Sequence, residues 1–345
     1  MNHMADLDAQ RPDRRTARIT RTVHALALSF VASCILSAPT PASAQVWPTA
    51  KPITIVVPVP PGPTIDQLAR IVATKLSDAL GQTVIVDNRS GANGMIGSAA
   101  VAHAPPDGYT LLAATPASHV TAIHLMKNLP IDPVKDFTPI MAAVEPVTAL
   151  VVNAELPVNS VPELIAYARA NPGKLSYGSS GIGSVFHLTG ELFNRSAGVN
   201  TTHVPYRGVT QPIQDTAAGH IQIVHASLSS ARGALTSGKA KVLAILEPQR
   251  YSKLPDVPSL TEILPAFRKP STWFGFFGPA RLPPAILARL NAEMRKAITA
   301  PEIRSKLEGQ DLIIIADTPE EFAKLQRDGI EQFGAIIKAA GIQPQ

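Results

Sequence analysis

Two short stretches of the chain carry residue types suited to holding an anion rather than breaking a bond. The first is Pro58-Val-Pro-Pro-Gly-Pro-Thr-Ile-Asp66. It joins a β-branched run, 53–57, to an amphipathic run, 65–80, so it reads as a strand-to-helix junction. A helix starting there offers backbone N–H groups without intrahelical acceptors and the positive end of its dipole. Pro58, Pro60, Pro61 and Pro63 have no N–H, which leaves Val59, Gly62, Thr64, Ile65 and Asp66 as donors. Thr64 and Gln67 also have capping-box spacing. The second stretch is Tyr177-Gly-Ser-Ser-Gly-Ile-Gly-Ser-Val-Phe-His187, again between a strand and a helix. Gly178, Gly181 and Gly183 allow tight turning, and Ser184 is the expected N-cap of a helix from Val185. Neither a Gly-Lys-Ser/Thr ending nor G-x-G-x-x-G is present, so phosphate is disfavoured as the ligand. Opposed across a cleft, two such helix starts suit a carboxylate. Charge-assisted hydrogen bonds contribute roughly 1.5–3 kcal/mol each and a helix dipole about 0.3–1 kcal/mol. Three or four bonds and two dipoles approach the ~8 kcal/mol of micromolar binding before ordering costs, with no arginine required.

Signatures of catalysis are thin. Beyond the first 44 residues the histidines are His103, His119, His124, His187, His203, His220 and His225, and none has metal-ligand spacing. There is no G-x-S-x-G nucleophile elbow. His187 reads as a residue bracing its loop rather than as a base. No enzyme activity, metal or cofactor is expected.

The elements that must position these loops alternate in type. Strand-like runs at 53–57, 83–86 and 110–114 are separated by helix-like ones, and the pattern restarts after 139–152 with helices at 161–170 and 185–197. Three helical runs, 284–300, 301–308 and 319–340, close the chain, with a strand at 312–315 before the last. This order implies an α/β fold of two lobes with mostly parallel sheets flanked by helices. The expected lobes are 46–148 plus 272–345 and 149–271, with the ligand cleft between them and a hinge made where the chain crosses twice.

Composition bounds the class. Hydrophobic residues make up 45% and charged residues 17%, enough for substantial cores. Aromatics at 5% and the lack of a Lys/Arg cluster argue against nucleic acid. Residues 1–44 have the order of a secretory signal peptide: Arg11 to Arg21, an apolar run at 23–36, then Ala42-Ser43-Ala44. Cleavage after Ala44 would leave a periplasmic chain with a net charge near +3 and no cysteine, since Cys34 is the only one. Lipidation at Cys34 is the competing reading.

Sequence motifs in order along the chain sharpen this picture. They include Trp47-Pro-Thr-Ala-Lys-Pro-Ile, Pro61-Gly-Pro-Thr-Ile-Asp-Gln-Leu-Ala-Arg70, Asp87-Asn-Arg-Ser-Gly-Ala-Asn-Gly94, Pro106-Asp-Gly-Tyr-Thr-Leu-Leu112, Asp132-Pro-Val-Lys-Asp-Phe137, His203-Val-Pro-Tyr-Arg-Gly208 and Leu254-Pro-Asp-Val-Pro258. With them the chain resembles the Bug-type (TctC-like) extracytoplasmic solute receptors of tripartite tricarboxylate transporters. The resemblance implies a "Venus flytrap" periplasmic binding protein that takes small carboxylates, dicarboxylic or aromatic acids among them, for a membrane transporter. It implies ligand contacts at Gly62, Thr64, Ile65 and Asp66 in one lobe and at Ser180, Gly183, Ser184, Val185, Phe186 and His187 in the other, with Ser118 and Ala226 completing the set. The chain departs from the family pattern at Pro63, Ile65, Val185, Phe186 and Ala226, and each departure subtracts polarity. An organic acid with an apolar or aromatic body is the expectation. A monomer that docks on transporter subunits is the first reading; a sensor adaptor docking on a membrane histidine kinase is the alternative, and a secreted hydrolase the third.

Overall fold

The computed structural model describes residues 47–344. The proposed leader, its cleavage site and Cys34 lie outside the described residues.

Two sheets organise the molecule. The six-stranded sheet contains β1 (Ile53–Val57), β2 (Val84–Asn88), β3 (Thr110–Ala114), β4 (Phe137–Pro146), β10 (Phe274–Pro279) and β11 (Leu312–Ile314), in the order β11-β4-β10-β3-β1-β2. The five-stranded sheet contains β5 (Thr148–Asn153), β6 (Ser176–Ser179), β7 (Thr202–Pro205), β8 (Ile223–Ser227) and β9 (Ala240–Ile245), in the order β7-β6-β8-β5-β9. The α/β reading with two lobes holds, but the sheets are mixed rather than mostly parallel. β1 pairs parallel with β2 and β3, and β6 with β7 and β8. Every antiparallel pairing involves β4, β5 or β10. These are the strands beside the passages between sheets. A strand entering from the other sheet is not tied by a βαβ crossover, so nothing imposes the parallel direction on it.

The helices cover the sheets because their apolar residues share a face. α1 (Thr64–Leu80) buries Leu68, Val72 and Leu76 and ends on Gly81 at φ +62°, the left-handed cap that glycine adopts without steric cost. With α9 (Pro284–Thr299) and α10 (Pro301–Gly309) it packs on one face of the larger sheet. On the other face lie α2 (Met95–Ala102), a π-helical turn (Ala117–Thr121), α3 (Ala122–Leu125) and α11 (Pro319–Ala339). In the smaller sheet α4 (Val161–Ala170), α5 (Val185–Ala197) and α8 (Leu260–Ile263) cover Leu150 and Val152, while α6 (Thr210–Ala217) and α7 (Leu228–Thr236) cover Ala149 and Val151. The period-two alternation along β5, with all six residues buried, marks a strand covered on both faces. α11 opens with a complete capping box, Thr318 with Glu321. Among the described residues no helix is long and apolar enough to cross a membrane.

Candidate functional site

The first loop is braced from within. Asp66 is buried and its carboxylate accepts from Gly62 N–H (2.9 Å), Arg70 Nε and Nη2 (both 3.0 Å) and Asn88 Nδ2 (2.9 Å). Burial alone would raise its pKa, but the Arg70, Asn88 and Gly62 donors outweigh burial and hold it below the usual value. Gly62 and Asp66 therefore spend their polar groups on each other. The capping box expected at Thr64 and Gln67 does not form. Pro63, at φ −55° and ψ 160°, occupies the cap position, Thr64 is already helical, and Gln67 Nε2 donates to Gly62 O instead (2.8 Å). Asp66 N–H bonds Pro63 O. Of the donors expected here, Thr64 and Ile65 keep backbone N–H groups without a protein acceptor among the described residues.

The second loop behaves alike. Ser184 caps α5 by accepting from His187 N–H (3.3 Å). Gly183, at φ +75°, donates its N–H to His187 Nδ1 (2.9 Å). That bond needs an unprotonated Nδ1, so the proton of the neutral ring sits on Nε2. His187 stacks on His203 at 3.8 Å between ring centroids, and burial holds its pKa below the ordinary histidine value, against the pull of Glu191. His187 thus braces the loop. Val185 and Phe186, the first two residues of α5, keep free N–H groups as Thr64 and Ile65 do.

These two helix starts border one cavity of about 670 Å³. Thr64 and Ile65 line it from the six-stranded side, and Ser180, Gly183, Ser184, Val185 and Phe186 from the five-stranded side. The remaining expected site residues do not line it. Gly62, Asp66 and His187 are the braces just described. Ser118 is buried, with its hydroxyl against Thr115 O (3.3 Å) and His119 Nδ1 (2.9 Å), while Thr115, Ala117 and Thr121 of the same turn reach the cavity. Ala226 packs in the core with Val224 and Leu228, and its neighbour Ser227 lines the cavity. Strand alternation gives this parity, and the same signal in the sequence could have placed Ser227. Other lining residues went unanticipated: Asn93, Leu125, Met126, Thr148, Ser230, Thr272, Phe274, Ile342 and Gln343.

No Asp, Glu, Lys, Arg or His is among the described residues lining this cavity. Its polar groups are hydroxyls, two amides and backbone. Its apolar groups include Ile65, Val185, Phe186, Val209 and Phe274. Among the described residues no group of three His, Cys, Asp or Glu side chains could hold a metal ion. Such a wall offers a ligand oriented dipoles and hydrogen bonds.

Two lobes of mixed sheet, with strand-to-helix loops from each meeting at one cavity, define a binding protein of the periplasmic type. The chain belongs to the TctC family of tripartite tricarboxylate transporter family receptors, whose model matches residues 68–342. It is 37% identical over 290 residues to the UPF0065 protein in the tcbD-tcbE intergenic region of Pseudomonas sp. strain P51, covering 84% of this chain and 86% of that one. Two solved structures are similar throughout. R. palustris Rpa4515 with adipate shares 34% identity at a TM-score of 0.76, covering 87% of this chain and 100% of its own. MatC (Rpa3494) from Rhodopseudomonas palustris with bound malate shares 30% at 0.71, covering 84% and 99%.

Proposed function

We propose that this protein is an extracytoplasmic receptor that encloses one small carboxylate between lobes formed by 46–148 plus 272–345 and by 149–271, and delivers it to a tripartite tricarboxylate-type membrane transporter. The observation that carries this reading is the pair of helix starts, α1 and α5, bordering one uncharged cavity with free N–H groups at Thr64, Ile65, Val185 and Phe186. The adipate and malate held by two relatives support it. The ligand's acid group sits between the two helix starts, and its body lies against Ile65, Val185, Phe186 and Phe274. The protein works in the periplasm after removal of residues 1–44, as a monomer without a cofactor, and turns nothing over.

The decisive experiment is mass spectrometry of the small molecule that copurifies with the protein, followed by titration calorimetry of the unfolded and refolded protein with a panel of organic acids. A carboxylate binding near micromolar affinity is expected; no acid bound by a folded protein overturns the reading. Val185→Pro sharpens the test. Proline suits the first helical position and deletes one N–H there with little cost to the fold. Affinity is expected to drop about tenfold, the ~1.4 kcal/mol of one hydrogen bond, with the melting temperature nearly unchanged.

A further inference from the structure

The turn between β2 and α2 has a backbone that L side chains rarely adopt. Gly91, Ala92, Asn93 and Gly94 have φ of +132°, +46°, +54° and +88°, four positive values in a row. Two of the four residues are not glycine, and the left-handed region crowds a Cβ against the following carbonyl. The turn is held in place from one side. Gly94 N–H bonds Gly91 O at 2.9 Å, and a Cβ built on Gly94 would lie 3.3 Å from Pro58 Cβ and 3.5 Å from Ser118 Cβ. Gly94 and Met95 are buried, while Asn93 is exposed and lines the cavity.

The turn alone does not call for asparagine. Asparagine visits the left-handed region because its short polar side chain can bond locally, yet the Asn93 carboxamide makes no hydrogen bond to a described residue. Five positions earlier, Asn88 is fully spent. It donates to Val59 O (3.0 Å) and Asp66 Oδ1 (2.9 Å) and accepts from Arg70 Nη2 (2.9 Å). Glycine would fit position 93 with less strain, as it does at 91 and 94. What glycine lacks is the carboxamide, with two N–H donors and an oxygen, presented at the cavity wall. Strain kept beside a binding site points to the residue it presents.

The fold sets where that carboxamide stands. β2 lies parallel beside β1, and Arg89 N–H bonds Val57 O where the two strands end. The turn after β2 is thus one strand step, about 4.8 Å, from the loop that leads into α1. Thr64 and Ile65 offer free N–H groups on that side of the cavity, and Asn93 Nδ2 adds a donor from a second loop of the same lobe. No Asp or Glu among the described residues lines the cavity to compete for it.

We infer that Asn93 is a ligand contact that selects for a carboxylate: its side-chain amide donates to the acid group held at the start of α1, and the strained turn fixes its position. The inference rests on the carboxylate reading above and deepens it.

The test is titration calorimetry of the refolded wild-type protein with adipate, malate, hexanoate and benzoate, then of two variants with whichever of these acids binds most tightly. Asn93→Gly keeps the left-handed backbone and removes the amide. Asn93→Asp keeps the size and the left-handed tolerance and replaces the donor by a carboxylate. Asn93→Gly is expected to bind about tenfold more weakly, with its melting temperature unchanged or higher. Asn93→Asp is expected to lose roughly a further tenfold, because two like charges would face each other. A merely structural role would not give that order, since glycine is the residue the turn tolerates best. Affinity of Asn93→Gly within about twofold of wild type overturns the inference, and so does Asn93→Asp binding as tightly as Asn93→Gly. Both outcomes leave the carboxylate reading standing. Wild-type protein that binds none of the four acids overturns the carboxylate reading and this contact with it.

Discussion

Gly183 carries two constraints at one atom. Its φ of +75° is a conformation L side chains rarely adopt, and a Cβ built there would lie 2.5 Å from Leu125 Cδ1, across the junction of the two lobes. Gly183→Ala is expected to destabilise the fold by about 1–2 kcal/mol from the backbone alone and to weaken acid binding, because the loop it distorts positions the start of α5. Urea unfolding and calorimetry check both. The buried histidines set the acid limit of stability. Burial holds His119 and His225 at about 3, and burial together with His187 holds His203 at about 4. Their folded values lie below the ordinary 6.5, so the unfolded chain binds more protons, and stability present above pH 6.5 is lost as pH falls toward 3. Each fully buried histidine contributes a slope of about 1.4 kcal/mol per pH unit in that window. Asp317 works oppositely. Burial raises it to about 7, so its folded form gains stability as pH falls from 7 toward 4. The histidines outnumber it, and the urea midpoint is expected to fall between pH 6 and 4. In Asp317→Asn, where the side-chain oxygen can still accept from Ala142 N–H, the fall should be steeper. A midpoint flat across that range would contradict the assignment.

At the scale of elements, the strand ends and the helix starts had different legibility. β1 is a β-branched run and α5 has a serine cap, so local chemistry alone located both loops. Ser184 could be read as a cap because a cap bonds within its own turn. Thr148 and Thr272 could not be read as site residues, because their partners Glu247 and Glu145 are 99 and 127 positions away. Lys269 in Arg-Lys-Pro-Ser-Thr has the composition of an exposed loop, yet the fold buries it between two acids. The antiparallel strands were missed for a related reason, since a strand crossing between lobes carries no local mark of its direction. The cluster also yields a prediction. Burial opposes the charge on Lys269, but Glu145 and Glu247 outweigh it and hold its pKa above the ordinary value. Removing that charge leaves two buried carboxylates without compensation. Lys269→Met is expected to cost about 3–5 kcal/mol in urea unfolding, and adding Glu247→Gln should recover part of the loss. A loss under ~1 kcal/mol would mean that water reaches the cluster and screens it.

At the scale of the molecule, a second contact joins the sheets away from the cavity. Asp311, in the turn between α10 and β11, accepts from Arg232 Nη2 (2.5 Å) on α7 and from Tyr251 OH (3.1 Å), both on the five-stranded side. Lys253 donates to Glu308 O beside it. The Asp311 carbonyl accepts from Val147 N–H, at the passage between sheets. Arg232 is half exposed, so its ion pair alone contributes little to folding. Its leverage is on the relative population of open and closed lobes. An apparent dissociation constant rises as the fraction of binding-competent, closed protein falls. If the contact favours the closed form by about 1 kcal/mol, its loss weakens binding by up to about fivefold without touching any residue that lines the cavity. Asp311→Asn isolates this effect. Asparagine tolerates the left-handed backbone at φ +57°, so the turn survives while the charge is lost. The expected outcome is a threefold to fivefold weaker calorimetric affinity and a larger ligand-induced contraction in small-angle X-ray scattering, because the unliganded variant starts more open. Unchanged affinity with unchanged scattering would place the contact on a part of the molecule that does not move when the ligand binds.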